Sequence, residues 1–237
     1  VVYSGVFGIL RVVYSVFGHE LVRQLSLGRF LPWVAAFTIL VGVIVATRQD
    51  VLKRRLAYHT ISQLSYILLG AFTLHPLGLA GAVLHMFSYS ILKVSLFFAA
   101  GIIARQTGKL KVSEMGGVGW SLPLTMAAFG VASLGMIGML PLSTFWSKYH
   151  LMRGSAAGGI WPFALVLIVS GLINAFCFLP TVIAAFTGER GQQVLEKGGG
   201  VGLMLAPTAL LAALSVLIGL WPGMLWPSVE SVVRSFF

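Results

Sequence analysis

Seven long runs of apolar residues dominate this sequence and constrain its fold more than any other feature. A helix needs about 20 such residues to cross the roughly 30 Å hydrocarbon core of a bilayer. The runs are too long and too continuously apolar for the alternating strands of a membrane barrel. We therefore predict an all-α, polytopic membrane helix bundle of about seven transmembrane helices, one of them broken, in a single transmembrane domain over residues 1–237. The runs lie at approximately 1–17, 31–49, 56–75, 77–104, 121–152, 160–187 and 201–225.

The net charge of +10 would, in a soluble chain, suggest binding to nucleic acid. Charged residues make up only 9% of this chain, so we expect no nucleic-acid partner. The bases instead indicate topology, because Lys and Arg are enriched in cytoplasmic loops. Nine lie in the alternate loops 48–55, 104–120 and 188–200, and four lie in the opposite loops and the C-terminal tail. We predict a multi-pass protein of a bacterial or archaeal inner membrane, with the nine-base side in the cytoplasm.

One apolar run, 77–104, carries a lysine in its central part, where a charge is costly to insert. His85, Tyr89 and Lys93 are spaced i, i+4 and i+8, so they share one helix face, with Ser88 beside them. Histidine titrates near physiological pH, and hydroxyl groups both donate and accept hydrogen bonds. The spacing predicts a proton relay along this face. A structural lysine and a packing histidine are the alternative.

A second polar stripe begins the third run, with His59, Ser62, Gln63 and Tyr66 at i, i+3, i+4 and i+7. Such side chains often form hydrogen bonds between membrane helices, so helix glue and channel lining remain equally open. We include His59 in the predicted relay. Cys177 lies in an apolar run and is predicted to be a small packing residue.

The run 121–152 contains Gly138 and Pro141, which predict a break in its helix. Proline removes a helix hydrogen bond, and irregular backbone at membrane depth occurs only within protein or along a cavity. Interrupted helices of this kind form ion or substrate sites in transporters. If the break lies near the midplane, Lys148 is buried. If 121–140 already crosses the membrane, Lys148 is interfacial, and the spacing leaves both positions open.

These residues resemble the antiporter-like, proton-conducting membrane subunits. That family includes the large membrane subunits of respiratory complex I, Mrp-type cation/proton antiporter subunits A and D, and the membrane subunits of energy-converting hydrogenases. The resemblance implies that this chain is the C-terminal half of such a subunit, with Lys148 the titratable residue at the break. It also implies that 1–17 is a residual helix of the first half, 31–187 a five-helix half-channel repeat and 201–225 the final helix. The similar stretches are Asp50–Tyr66, His85–Phe98, Met115–Gly117, Leu140–Lys148 and Asn174–Pro180.

The resemblance further implies proton translocation through buried Lys and His residues and internal water, within a complex I-like or Mrp-like complex. The implied partners are other membrane subunits, a chain that supplies the missing first half, and the lipid bilayer. A subunit that exchanges Na⁺ or K⁺ for protons is one alternative. A structural scaffold with degenerate transport is the other, and Tyr3, at a position where relatives often carry lysine, favours it. The sequence offers no redox ligand set and no nucleophile–base grouping, so we expect no catalytic chemistry, cofactor or metal in this chain.

Overall fold

The computed structural model describes residues 2–25, 27–187 and 201–237, and these ranges form a helical bundle. Their only β-type pairing is an isolated antiparallel bridge between Val51 and Lys111. Most helices coincide with the apolar runs, as expected when backbone polar groups must be satisfied within each segment. The helices are α1 Val2–Arg11, α2 His19–Gln24, α3 Leu27–Thr47, α4 Leu52–Phe72, α5 Pro76–Thr107, α6 Val118–Ser121, α7 Pro123–Ile137, α8 Ser143–Ala157, α9 Pro162–Thr187, α10 Val201–Leu220 and α11 Trp226–Arg234.

Four helical stretches in the described part of the chain are long and apolar enough to cross a membrane. These are Gly28–Thr47, Pro76–Thr107, Pro162–Thr187 and Gly202–Leu220. Two shorter apolar helices accompany them, Val2–Val16 and Pro123–Ile137. Helix α4 has a comparable length of 21 residues, but its bases and its polar stripe make it much less apolar. The predicted all-α, polytopic architecture is therefore the one observed.

Half of the described bases lie in the ranges 48–55 and 104–120, which meet at one end of the bundle. Ser113 donates from its backbone N and its Oγ to the Asp50 carboxylate, at 3.0 and 2.8 Å. These two hydrogen bonds, with Lys111 and Arg55 nearby, hold the pKa of the Asp50 carboxyl below its ordinary value. The loop between α3 and α4 is thereby fixed to the segment that follows α5. The loop 188–200 lies outside the described residues.

Helices α5 and α8 approach each other closely through glycines. A Cβ placed on Gly154 would lie 2.3 Å from the Cα of Gly78, and one on Gly81 would lie 2.6 Å from the backbone N of Leu151. Small residues at membrane helix interfaces allow this close backbone contact. The contact fixes how far α5 and α8 slide along each other, and so sets which of their polar side chains meet.

Candidate functional site

An interruption between α7 and α8 forms the centre of the site. Helix α7 ends at Ile137 and α8 begins at Ser143, so Gly138 and Pro141 both lie between them. Gly138 has φ +96°, a left-handed conformation that glycine adopts without steric cost and that commonly ends helices. The interruption leaves the last carbonyl groups of α7 without partners in their own helix.

The side chain of Lys148 satisfies two of these carbonyl groups. Its Nζ donates to the carbonyl oxygens of Met136 and Ile137 at 2.7 and 2.9 Å. The carbonyl end of a helix carries a partial negative charge, so it stabilises the ammonium group. Lys148 is only 7% exposed and lies nine residues before the end of α8 at Ala157, roughly 13 Å along the helix axis. Of the two positions that the spacing left open, the structure has the buried one.

His85 lies fully buried between α4 and α8. Its Nε2 lies 3.0 Å from Gln63 Oε1, and its Nδ1 lies 2.9 Å from Ser147 Oγ. Ser147 Oγ also donates to the carbonyl oxygen of Thr144 at 2.9 Å. A hydroxyl has one proton to donate, so Ser147 donates to Thr144 when Nδ1 of His85 carries a proton and donates to Nδ1 when it does not. Because Gln63 Oε1 can only accept, the proton of the neutral ring lies on Nε2, and a second proton would be placed on Nδ1.

The stacked rings of Tyr66, His85 and Tyr89 lie between Lys148 and Lys93. The Tyr66 and His85 rings have centroids 5.3 Å apart, and the His85 and Tyr89 rings have centroids 6.0 Å apart with planes only 7° from parallel. Lys148 Nζ lies 5.3 Å from the Tyr66 centroid, at one end of the stack. Lys93 Nζ lies 6.0 Å from the Tyr89 centroid, at the other end. The structure therefore joins residues from α4, α5 and α8 into one row.

Lys93 is half-buried rather than fully enclosed. Its ammonium contacts two neighbouring aromatic rings, 5.6 Å from the Tyr3 centroid and 6.0 Å from the Tyr89 centroid. Such contacts stabilise a cation by roughly 0.5–2 kcal/mol, depending on how far it is desolvated. Tyr89 in turn donates from its hydroxyl to Thr60 Oγ1 at 2.9 Å. Tyr3, which stands where a lysine was expected, thus contacts Lys93 directly.

Two residues of the α4 stripe, Ser62 and Tyr66, form hydrogen bonds to neighbouring helices. Ser62 donates to the Ile39 carbonyl oxygen at 3.0 Å and so joins α4 to α3 as helix glue. Tyr66 donates to the Leu167 carbonyl oxygen at 3.4 Å and is hydrogen-bonded to Ser170, which joins α4 to α9. Ser88 is buried beside the row of rings, and its hydroxyl has no hydrogen-bond partner within the described residues.

His59 does not join the His85 cluster, although both were predicted to belong to one relay. Its Nε2 lies 3.2 Å from Cys177 Sγ on α9, and its ring stacks on Phe178 with centroids 4.5 Å apart. Nearer the base-rich end, Arg55 donates to the Cys177 carbonyl oxygen and to Thr181 Oγ1, both at 3.1 Å. A polar seam between α4 and α9 therefore runs from Arg55 through His59 to Tyr66.

One turn of this seam holds buried polar atoms that have no hydrogen-bond partner in the described part of the chain. They are His59 Nδ1, Gln63 Nε2 and both side-chain polar atoms of Asn174. Asn174 lies beside His59, although the two side chains are not aligned for a hydrogen bond. Buried groups of this kind usually bind ordered water.

Sequence reasoning missed several members of the site. Ser147 precedes the predicted lysine and Asn174 is polar within an apolar run, so each gave a signal that could have been noticed. The contact of Thr60 with Tyr89 had no such signal, because it depends on how α4 and α5 are aligned. Cys177 packs in the core as predicted, and it also contacts His59.

Comparison with known proteins agrees with this architecture. A family model described as NADH:quinone oxidoreductase/Mrp antiporter, transmembrane, matches residues 1–174. The chain is 38% identical over 193 residues to NADH-quinone oxidoreductase subunit N of Desulforudis audaxviator, across 79% of this chain and 38% of that protein. It is 31% identical over 215 residues to an Na⁺/H⁺ antiporter subunit of Alkalihalophilus pseudofirmus, across 91% of this chain and 43% of that protein.

A solved structure of respiratory complex I from Thermus thermophilus with bound NADH contains a chain of the same fold. The two superimpose with a TM-score of 0.83 at 26% sequence identity, across 98% of this chain and 48% of that one. The chain thus spans less than half the length of these three relatives. Its family model covers well over half of the chain, which confirms the resemblance: the chain belongs to the NADH:quinone oxidoreductase/Mrp antiporter family of transmembrane proteins.

Proposed function

We propose that this chain translocates protons as part of a multisubunit membrane complex, and that Lys148 and His85 exchange the proton at the interruption between α7 and α8. The observation that carries the proposal is the buried Lys148 ammonium, held by two α7 carbonyl groups at 2.7 and 2.9 Å. A carbonyl oxygen stabilises the charge without itself being a base that takes the proton. The proton must therefore pass to another group, and His85 stacks on the same Tyr66 ring that Lys148 contacts.

The hydrogen bonds of His85 support its part in this exchange. Gln63 Oε1 accepts from Nε2–H in both protonation states, whereas the Ser147 hydroxyl donates to Nδ1 of the neutral ring and accepts from Nδ1–H of the charged one, so the imidazole gains or loses a proton without movement of its partners' heavy atoms. Preorganised partners of this kind avoid the cost of rearranging a dry site at each step.

Two routes lead away from this pair. One runs past His85 and Tyr89 to Lys93, where internal water would carry the proton between groups that are stacked rather than hydrogen-bonded to each other. The other follows the polar seam of α4 and α9, where water bound at His59, Gln63 and Asn174 would continue the path towards Arg55. We assign the path past Tyr89 to Lys93 to proton transfer along the membrane. We assign the polar seam between α4 and α9 to proton exchange with the base-rich side.

A cation/proton antiporter subunit is the second candidate, because the chain is 31% identical to the Na⁺/H⁺ antiporter subunit of Alkalihalophilus pseudofirmus. All six acidic residues of the sequence lie outside the central parts of the apolar runs. Na⁺ prefers carboxylate and carbonyl oxygens, so this chain would need help from another subunit to bind it. We therefore propose that protons, rather than Na⁺ or K⁺, follow the path through Lys148.

The test is proton translocation by the complete, assembled complex in membrane vesicles, measured with Lys148→Ala and Lys93→Ala. We expect Lys148→Ala to abolish translocation and Lys93→Ala to reduce it strongly. Lys53→Ala, a change of an exposed lysine in the first turn of α4 at the base-rich end, is the matched control and should behave like wild type. Wild-type translocation by an assembled Lys148→Ala complex would overturn the relay and favour a scaffold role. Flux that depends on Na⁺ and is lost in the same variant would favour the antiporter.

A further inference from the structure

A cavity of about 510 Å³ opens at the end of the bundle opposite the base-rich loops. Residues of α2 and of the start of α3 meet there with the connections between α4 and α5 and between α8 and α9. Its walls carry two arginines, Arg23 and Arg29, and the aromatic side chains of Trp33, Phe72 and Phe163. Trp33 and Phe163 contact each other edge to face, with centroids 4.9 Å apart, and so join α3 to α9.

The two arginines make this cavity positively charged. None of the described residues that line it is acidic, and neither arginine has an ion pair or a hydrogen bond with any described side chain. The other two bases of this end are engaged elsewhere: Arg153 lies 5.6 Å from the Tyr149 centroid, and Arg234 forms an ion pair with Glu230 at 2.6 Å. Two unpaired guanidinium groups therefore face the same cavity.

Helix ends do not reverse this charge. The first turns of α3 and α9, with positive dipole ends, lie in the wall, and so do the last turns of α4 and α8, with negative ends. The two positive and two negative helix ends therefore offset each other. The sign of the cavity is therefore set by the arginines.

An apolar stripe leads from the cavity along the outer face of α3. Phe30, Trp33 and Phe37 are spaced i, i+3 and i+7, so they share one face, and they are 62, 61 and 69% exposed. A shallow groove of about 150 Å³ continues from Phe37 between α3 and α4, where Val41 and Ile61 contribute to its lining. Aromatic side chains at the end of a span mark the level of lipid headgroups.

We propose that the cavity binds an anionic phospholipid, with its phosphate between Arg23 and Arg29 and one acyl chain along Trp33 and Phe37. The planar guanidinium group matches phosphate oxygens with paired hydrogen bonds. The continuous apolar stripe distinguishes a lipid from free phosphate, because inorganic phosphate would gain nothing from it. This site is separate from the path through Lys148, so it stands or falls independently of the proposed function.

The experiment measures lipid binding to the complete complex, which is first purified in detergent and delipidated. Phosphatidylglycerol, phosphatidylcholine and inorganic phosphate are then added separately, and binding is followed by native mass spectrometry. We expect phosphatidylglycerol to bind, phosphatidylcholine to bind at least tenfold more weakly, and phosphate not to compete at millimolar concentration. Arg23→Gln combined with Arg29→Gln should weaken phosphatidylglycerol binding by about tenfold or more, since hydrogen bonds to charged groups are lost.

Arg153→Gln is the matched control, because it removes an arginine of the same end that does not line the cavity. Arg23→Lys combined with Arg29→Lys keeps the charge and should restore part of the binding. Equal binding of the two lipids, unchanged binding in the double Gln variant, or an equal loss in the Arg153→Gln control would each overturn the proposal. Displacement of the lipid by phosphate would also overturn it, as would a wild-type complex that binds none of the added phosphatidylglycerol.

Discussion

Replacing Gly154 by alanine should separate α5 from α8 and disconnect His85 from Ser147. The added Cβ would lie 2.3 Å from the Cα of Gly78, whereas carbon atoms in contact stand about 3.5–4.0 Å apart. The neighbour is backbone, so no side chain can rotate away. Relieving the overlap needs a local separation of the two helices of more than about 1 Å. Overpacking of this kind typically costs about 1–3 kcal/mol, and more where backbone must move.

The same separation would reach His85 and Ser147, because the contacts between α5 and α8 lie along one antiparallel interface. Gly78 and His85 are two turns apart on α5, and Gly154 and Ser147 are two turns apart on α8. The distance from His85 Nδ1 to Ser147 Oγ is 2.9 Å, so an opening of about 1 Å would take it beyond hydrogen-bonding range. We therefore expect Gly154→Ala to lower both thermal stability and proton translocation.

The assay compares thermal unfolding of the complete complex in detergent with proton flux in vesicles. Gly8→Ala is the matched control: this glycine is also helical, and a Cβ there would meet nothing within 4 Å. Replacing it should stabilise α1 by about 0.5–1 kcal/mol. If Gly154→Ala unfolds at the wild-type temperature and translocates protons normally, the close α5–α8 contact does not position the site, and the reasoning from packing to relay is wrong.

Two further predictions concern Tyr66 and His75. Tyr66→Phe keeps the ring beside Lys148 but removes the hydrogen bonds to α9, including that with Ser170. We therefore expect thermal unfolding to show a loss of about 1 kcal/mol in stability. An unchanged stability would show that these bonds contribute nothing. His75 Nδ1 accepts from the backbone N of Leu77 at the start of α5, and burial together with the charge of Arg23 lowers the pKa of His75 below 6.5. The neutral ring is therefore favoured in the folded state, and its contribution to stability is present above about pH 6.5 and lost as the pH falls below it. His75→Asn keeps a capping oxygen and should flatten this part of the pH profile of thermal unfolding, and a profile identical to wild type would contradict the assignment.

The helices and the interruption could be predicted from the sequence because both depend on local chemistry. Apolar runs of about 20 residues become membrane helices whatever their neighbours are. Gly138 and Pro141 end helices through their own backbone preferences, so the interruption is visible without knowing what packs around it. The shared face of His85 and Lys93 likewise follows from helical periodicity alone.

The partners within the site could not be predicted because they depend on how separate helices are aligned. His59 and Gln63 are one turn apart on α4, yet one contacts Cys177 on α9 and the other contacts His85 on α5. Nothing in the α4 sequence distinguishes these neighbours. The glycines that align α5 with α8 raise the same difficulty, since a glycine in an apolar run does not reveal which helix approaches it.

The two lysines show how a chain whose acidic residues lie outside the central parts of its runs can hold positive charge at membrane depth. Neither lysine forms an ion pair with an acidic residue in the described part of the chain, and the structure stabilises each ammonium group in another way. Lys148 is held by the carbonyl end of α7, which carries roughly half a negative charge, and Lys93 contacts two neighbouring tyrosine rings. Both environments stabilise an ammonium group less than a paired carboxylate would, and neither offers a strong base. A proton that leaves either lysine must therefore move to a neighbour, and the row of Tyr66, His85 and Tyr89 lies between the two lysines with a single histidine at its centre.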